Sequence, residues 1–154
     1  MKIKLLLVGK NKDALIDVYL DEYQKRLRPF VPVEIKYLKE NKSSANAQVQ
    51  KKMEAETILK ELTNDDFLVL LDELGEGITS LKFSEKIKTW QQSGKKTIVF
   101  LVGGAYGVDE IIRKKASFIL SLSDMTFTHQ MVRVFFIEQL YRAFTIMHKI
   151  PYHH

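Results

Sequence analysis

LVGGAYGVDE, Leu101 to Glu110, puts three glycines within five residues directly behind the apolar run KKTIVF. The apolar run reads as a fully buried strand, and the Asp and Glu that follow the glycines open a helix. Glycine is placed after a core strand where the backbone must turn tightly or where something must approach it closely. Working outward, the same order recurs. IKLLLVG is a buried strand, and Asp13 to Leu27 is an amphipathic helix ended by Pro29 and Pro32. VEIKYL alternates like an edge strand, and a helix runs from about Ala47 to Leu62. FLVLLD is a third strand with DELGEG as its exit turn. Leu81 to Gln92 is a helix closed by Gly94, and after the glycine loop come DEIIRKKA, strand SFILSL and a helix from about Gln130 to His148. Strand and helix alternate five times, which predicts an α/β fold, a mostly parallel sheet with helices on both faces.

The 154 residues are one domain by length, with no composition shift and no internal repeat. There is no cysteine, hence no disulfide framework and no thiolate chemistry. MKIKLLLVGK has too few apolar residues for a signal-peptide core or a membrane span, so the expectation is a soluble, cytoplasmic protein. A net charge of +5 is compatible with an RNA or phosphate partner without requiring one.

In parallel sheets the ligand sits beyond the carboxyl ends of the strands. Three exits are therefore the candidate site: Leu71 to Gly75, Gly103 to Gly107, and Leu122 to Phe127. A dinucleotide-binding domain would want GxGxxG after its first strand, with a ribose-binding acid about twenty residues on, a place Asp124 occupies. The glycines here follow the fourth strand instead, and too little chain remains for two nucleotide-binding halves. No Walker GK[ST] string occurs. A tight turn whose glycines only permit packing is the competing reading of the loop by itself.

The C-terminal segment carries more. GGAYG, LSLSDMTFTHQMVRVFFIEQLYRAF and the closing PYHH, together with KIKLLLVGK and LDELG, resemble over essentially the whole chain the ribosomal large-subunit methyltransferase H family (RlmH) of the SPOUT superfamily. The resemblance implies an α/β domain whose C-terminal part forms a trefoil knot, an exception to the rule against threaded chains. It implies methyl transfer from S-adenosylmethionine to N3 of a pseudouridine in 23S (large-subunit) ribosomal RNA, on the assembled ribosome. It also implies a homodimer with the active site at the interface. The family's cofactor contacts carry over onto Leu71, Gly103 and the run Leu122, Ser123, Asp124, Met125, Thr126 and Phe127; Gly104, like Gly103 without a Cβ, lets the backbone approach the same cofactor.

The final helix is apolar almost all round, so it is buried on more than one side, either in a monomer core or against a second copy. Glu138 and Arg142 lie four apart on one face of it. They are either an ordinary helical pair or a device in which Glu138 orients Arg142 toward the target. His129 precedes the helix, as a cap or as a group that relays a proton near the base. Tyr152 and His153 match the family's tail, which folds over the active site; His154 stands where relatives commonly carry Arg or Lys. No histidine pair has zinc spacing, so no metal is expected. A non-catalytic ribosome-associated RNA-binding protein with the same fold is the alternative function.

Overall fold

The computed structural model describes residues 1–41 and 46–152. Five strands and five helices alternate: β1 (Lys2–Val8), α1 (Ala14–Leu27), β2 (Val33–Leu38), α2 (Ala47–Glu61), β3 (Asp66–Gly77), α3 (Ser80–Gln91), β4 (Thr97–Val102), α4 (Glu110–Lys115), β5 (Phe118–Ser121) and α5 (His129–Met147). Each helix starts where a short polar side chain can take up an orphan backbone N–H. Asp13, Asn46, Thr79, Asp109 and Thr128 occupy the five N-cap positions and each accepts from the first turn.

The strands form one sheet in the order β2-β1-β4-β3-β5, every neighbouring pair parallel. Side chains alternate across it. Leu5, Leu7, Val69, Ile98 and Phe100 meet α1, α3 and α5 on one face. Leu6, Val8, Leu68, Leu70, Val99 and Leu101 meet α2 and α4 on the other. All six residues of β4 are buried, as a central strand covered on both sides requires. β2 lies at an edge, where its alternating pattern placed it.

The structure corrects one element. DELGEG is not an exit turn: β3 runs on to Gly77. Leu120 pairs with Leu71 and again with Glu76, so Asp72 to Gly75 bulge out of the ladder before Glu76 and Gly77 rejoin β5. Asp72 Oδ1 accepts from the Leu74 N–H at 2.9 Å, the local bond that makes this stretch look like a turn in sequence. A bulge re-aims the chain beside a site, and here it raises one wall of the cavity described next.

Candidate functional site

Beyond the carboxyl ends of β3, β4 and β5 lies a cavity of about 620 Å³. The β3 bulge supplies Leu71 to Leu74, the glycine loop Gly103 to Val108, and the β5–α5 connection Leu122, Ser123 and Met125 to Thr128; His129 and Val132 of α5 close it. Of the expected cofactor residues Leu71, Gly103, Gly104, Leu122, Ser123, Met125, Thr126 and Phe127 line this space. Asp124 is exposed and does not line it.

The glycine loop is a tight turn, with Gly107 N donating to Gly104 O at 3.0 Å and Gly107 at φ +75°. The volume a Cβ would take at Gly103 is filled by Val108 Cγ1, at 2.8 Å, and at Gly104 by Glu54 Oε2, at 3.0 Å. Close packing of the protein on itself therefore requires these two glycines directly, and their backbone is left facing the cavity. In the β5–α5 connection Ser123 Oγ accepts from the Met125 N–H at 2.9 Å, and Thr126 Oγ1 donates to Glu73 Oε2 at 2.8 Å. No hydrogen bond among the described residues engages the main chain of Leu122, Thr126 or Phe127. A cavity with unpaired main-chain donors and acceptors between apolar walls fits a planar heterocycle and its sugar.

His129 is the first residue of α5, with Thr128 capping in its place. Burial holds its imidazole below the ordinary histidine range, and the Arg133 charge pushes the same way. Its Nε2 lies 3.2 Å from Gln130 Nε2. The Gln130 amide is oriented by its other bonds, Oε1 accepting from Lys12 N and Nε2 donating to Lys10 O. With the Gln130 amide in that orientation, the tautomer that fits the contact has His129 Nε2 accepting and Nδ1 carrying the proton.

The other expected catalytic residues form a separate cluster. Glu138 Oε1 accepts from Arg142 Nε at 3.1 Å, Arg142 Nη2 at 2.9 Å and the Tyr152 hydroxyl at 3.1 Å. Gln139 Nε2 takes Glu138 Oε2 at 2.7 Å. Arg142 also lies over the Tyr152 ring, 5.0 Å from its centre. Glu138 does orient Arg142, but nine residues of helix separate it from His129, about 13 Å of rise. Within one chain the cluster and the cavity are not brought together. His153 lies outside the described residues.

Sequence reasoning passed over Arg133. It is fully buried, with Nη2 donating to Val8 O at 2.5 Å and Nη1 to Asn11 Oδ1 at 2.6 Å. The signal was present: Arg133 shares the helix face of Ile137, Leu140 and Phe144, where every other member is core.

A parallel α/β sheet with a glycine-walled cavity beyond its carboxyl edge defines a nucleotide- or cofactor-binding enzyme fold. A family model described as "Predicted SPOUT methyltransferase" matches residues 1–153. The chain is 46% identical to the ribosomal RNA large subunit methyltransferase H of Flavobacterium johnsoniae, covering 100% of this chain and 99% of that protein. The proteins of the same name from Parabacteroides distasonis and Trichlorobacter lovleyi are 44% and 42% identical, each over 100% of this chain and 99% and 100% of theirs. The chain belongs to the SPOUT methyltransferase family. No helix among the described residues is long and apolar enough to cross a membrane, and none of their His, Asp and Glu form a group able to hold a metal.

Proposed function

We propose that this protein is an S-adenosylmethionine-dependent methyltransferase of large-subunit ribosomal RNA, acting on N3 of a pseudouridine in the assembled ribosome. The observation that carries it is the three-loop cavity with its unpaired main-chain groups, in a chain whose relatives are named as methyltransferases of large-subunit ribosomal RNA. Leu71, Gly103, Gly104 and residues 122–127 would hold the cofactor, with Asp124 contributing at most through its backbone. S-adenosylmethionine supplies an activated methyl group when bound. The protein's part is to align an acceptor nitrogen with it, exclude water and favour the deprotonated imide. His129, a donor through Nδ1, is suited to hold a base carbonyl, and a guanidinium such as Arg142 stabilises an anion at N3. Transfer of labelled methyl to 23S RNA in ribosomes from a strain lacking this enzyme, located by mass spectrometry, tests the reading. Failure of S-adenosylmethionine to bind in calorimetry would leave the non-catalytic RNA-binding alternative.

The same proposal includes a homodimer. α1 and α5 pack on each other and leave Leu15, Val18, Tyr19, Met131 and Phe135 exposed, with Phe135 against Phe127 at 4.8 Å. An apolar face beside the cavity supports a second copy seated there, whose Glu138–Arg142–Tyr152 cluster completes the site that one chain leaves divided. Light scattering at micromolar concentration should report twice the 17.9 kDa chain mass; a monomer refutes it. The trefoil threading belongs here too, on the strength of the match to the SPOUT family over residues 1–153.

Arg142→Ala should then lower methyl transfer about ten- to a hundredfold, since a charge-assisted contact is worth roughly 1.5–3 kcal/mol. Cofactor affinity and dimer mass should hold, and Lys should rescue only part because it lacks the guanidinium fork. A fall in melting temperature with activity per dimer unchanged would make Arg142 a structural partner of Glu138 and nothing more.

A further inference from the structure

At the carboxyl edge of the sheet the exits of β2 and β1 adjoin the cavity on the side away from β3 and β5. Gly9 N donates to Leu38 O at 2.9 Å, so the two exits touch. They carry Lys10, Lys12 and Lys39, all exposed and none in an ion pair among the described residues. Three acids share the corner, and one of them, Glu40, packs beside Gly9 and places its charge on His129 and Arg133. Asp13 caps α1. Asp17 accepts from the Tyr37 hydroxyl and from Asn11 Nδ2, both at 2.6 Å.

Exposed lysines are ordinary; a clamped backbone beneath them is not. Gln130 holds Lys10 O and Lys12 N with the two ends of one amide. Arg133, buried below, holds Val8 O and Asn11 Oδ1. Both side chains come from the first two turns of α5, next to His129 in the cavity wall, and Lys12 is near enough for its charge to act on that imidazole. Lys10 and Lys12 are thus presented from a fixed frame beside the site, with Lys39 on the adjoining β2 exit, while the side-chain stems stay free to follow a flexible ligand. A polyanion bound here loses little to ordering of the protein.

We propose that Lys10, Lys12 and Lys39 form a phosphate-contacting shoulder that grips the RNA backbone flanking the target nucleotide, with Gln130 and Arg133 as its positioning residues. The proposal rests on the reading of the protein as an RNA methyltransferase. Phosphate contacts fix register without reading sequence, which suits an enzyme whose specificity comes from the fold of its substrate.

The test compares the full-length Lys10→Gln, Lys12→Gln, Lys39→Gln triple variant with a control of equal charge loss. The control is Lys60→Gln, Lys88→Gln, Lys96→Gln, exposed lysines near the opposite, amino edge of the sheet. Ribosome co-sedimentation at 50–200 mM KCl and labelled-methyl transfer to ribosomes are measured on the same preparations. For the shoulder variant KM for ribosomes should rise about tenfold, with kcat and S-adenosylmethionine affinity within about twofold of the parent. The slope of log affinity against log salt should become shallower by roughly two, three contacts at about 0.7 each. A parent-like KM and slope, or an equal effect in the control, overturns the shoulder while leaving the enzyme reading intact. If the parent transfers no methyl group yet the shoulder variant alone sheds ribosomes, the contact stands and the enzyme reading falls. If the parent neither transfers methyl nor sediments with ribosomes, both fall.

Discussion

Gly75→Ala should melt about 6–12 °C below the parent. A Cβ at Gly75 would lie 2.7 Å from the Ile119 carbonyl carbon and oxygen and 2.8 Å from that of Leu120. Those are backbone atoms of β5, and no rotamer relieves the overlap. The tongue of β3 beyond the bulge must lift from β5, breaking the Glu76–Leu120 and Gly77–Ser121 pairing. Overpacking against backbone is worth about 3 kcal/mol, and in a chain of this size each kcal/mol moves Tm by roughly 2–4 °C. Gly77→Ala is the matched control. Nothing lies within 4 Å of its Cβ position, so its melting curve should overlay the parent's. Because the bulge is a cavity wall, calorimetry on Gly75→Ala should also show weakened S-adenosylmethionine binding. An unchanged Tm would mean that β3 and β5 do not close as described.

Gly103→Val should abolish measurable S-adenosylmethionine binding, a loss of at least about a hundredfold. Its Cβ would meet Val108 Cγ1 at 2.8 Å and the Gly107 carbonyl at 3.3 Å, so even the first added carbon pushes the loop off its own turn. The two further methyls then take space beside the cavity. Val108 is branched and packs against the α2/α4 face of the sheet, so it has little freedom to yield. Gly103→Ala, which adds only the first carbon, separates the two effects: about tenfold weaker binding with Tm down by a few degrees marks loop closure as the requirement. Circular dichroism on the same samples establishes that each variant is folded, and parent-like affinity in folded Gly103→Val removes this residue from the cofactor site.

The element order, the parallel sheet and the location of the cavity could be read before any coordinates, because each rests on local signals that agree. Apolar runs such as TIVFLV mark central strands, and Asp13 and Asp109 announce helix starts. What escaped depends on partners distant in the chain. DELGEG looks like a turn because two glycines and three acids cluster there, and only the double pairing of Leu120 reveals a bulge. His129 looked like the residue before a helix, whereas Thr128 has the side chain that caps it. Arg133 hid inside an apolar run, and its role is visible only when residues 8 and 11 are seen beneath it. Asp124 stands within a run whose other members line the cavity, yet it is itself exposed and lies outside the wall. The division between the His129 wall and the Glu138–Arg142–Tyr152 cluster follows from helix rise alone, so counting along α5 exposes it.

The bonds from Arg133 to Val8 and Asn11 also order events in time. β1 leaves the ribosome before β4 and α5 during synthesis, yet it needs β4, residues 97–102, on one side, and its exit loop is pinned only when residues 130 and 133 arrive. No N-terminal portion of the chain can therefore hold Lys10 and Lys12 in their final frame while translation continues. Such sequence-distant pairing makes folding slow and nearly all-or-none. The loop after β1 acquires its final shape only once α5 has been made.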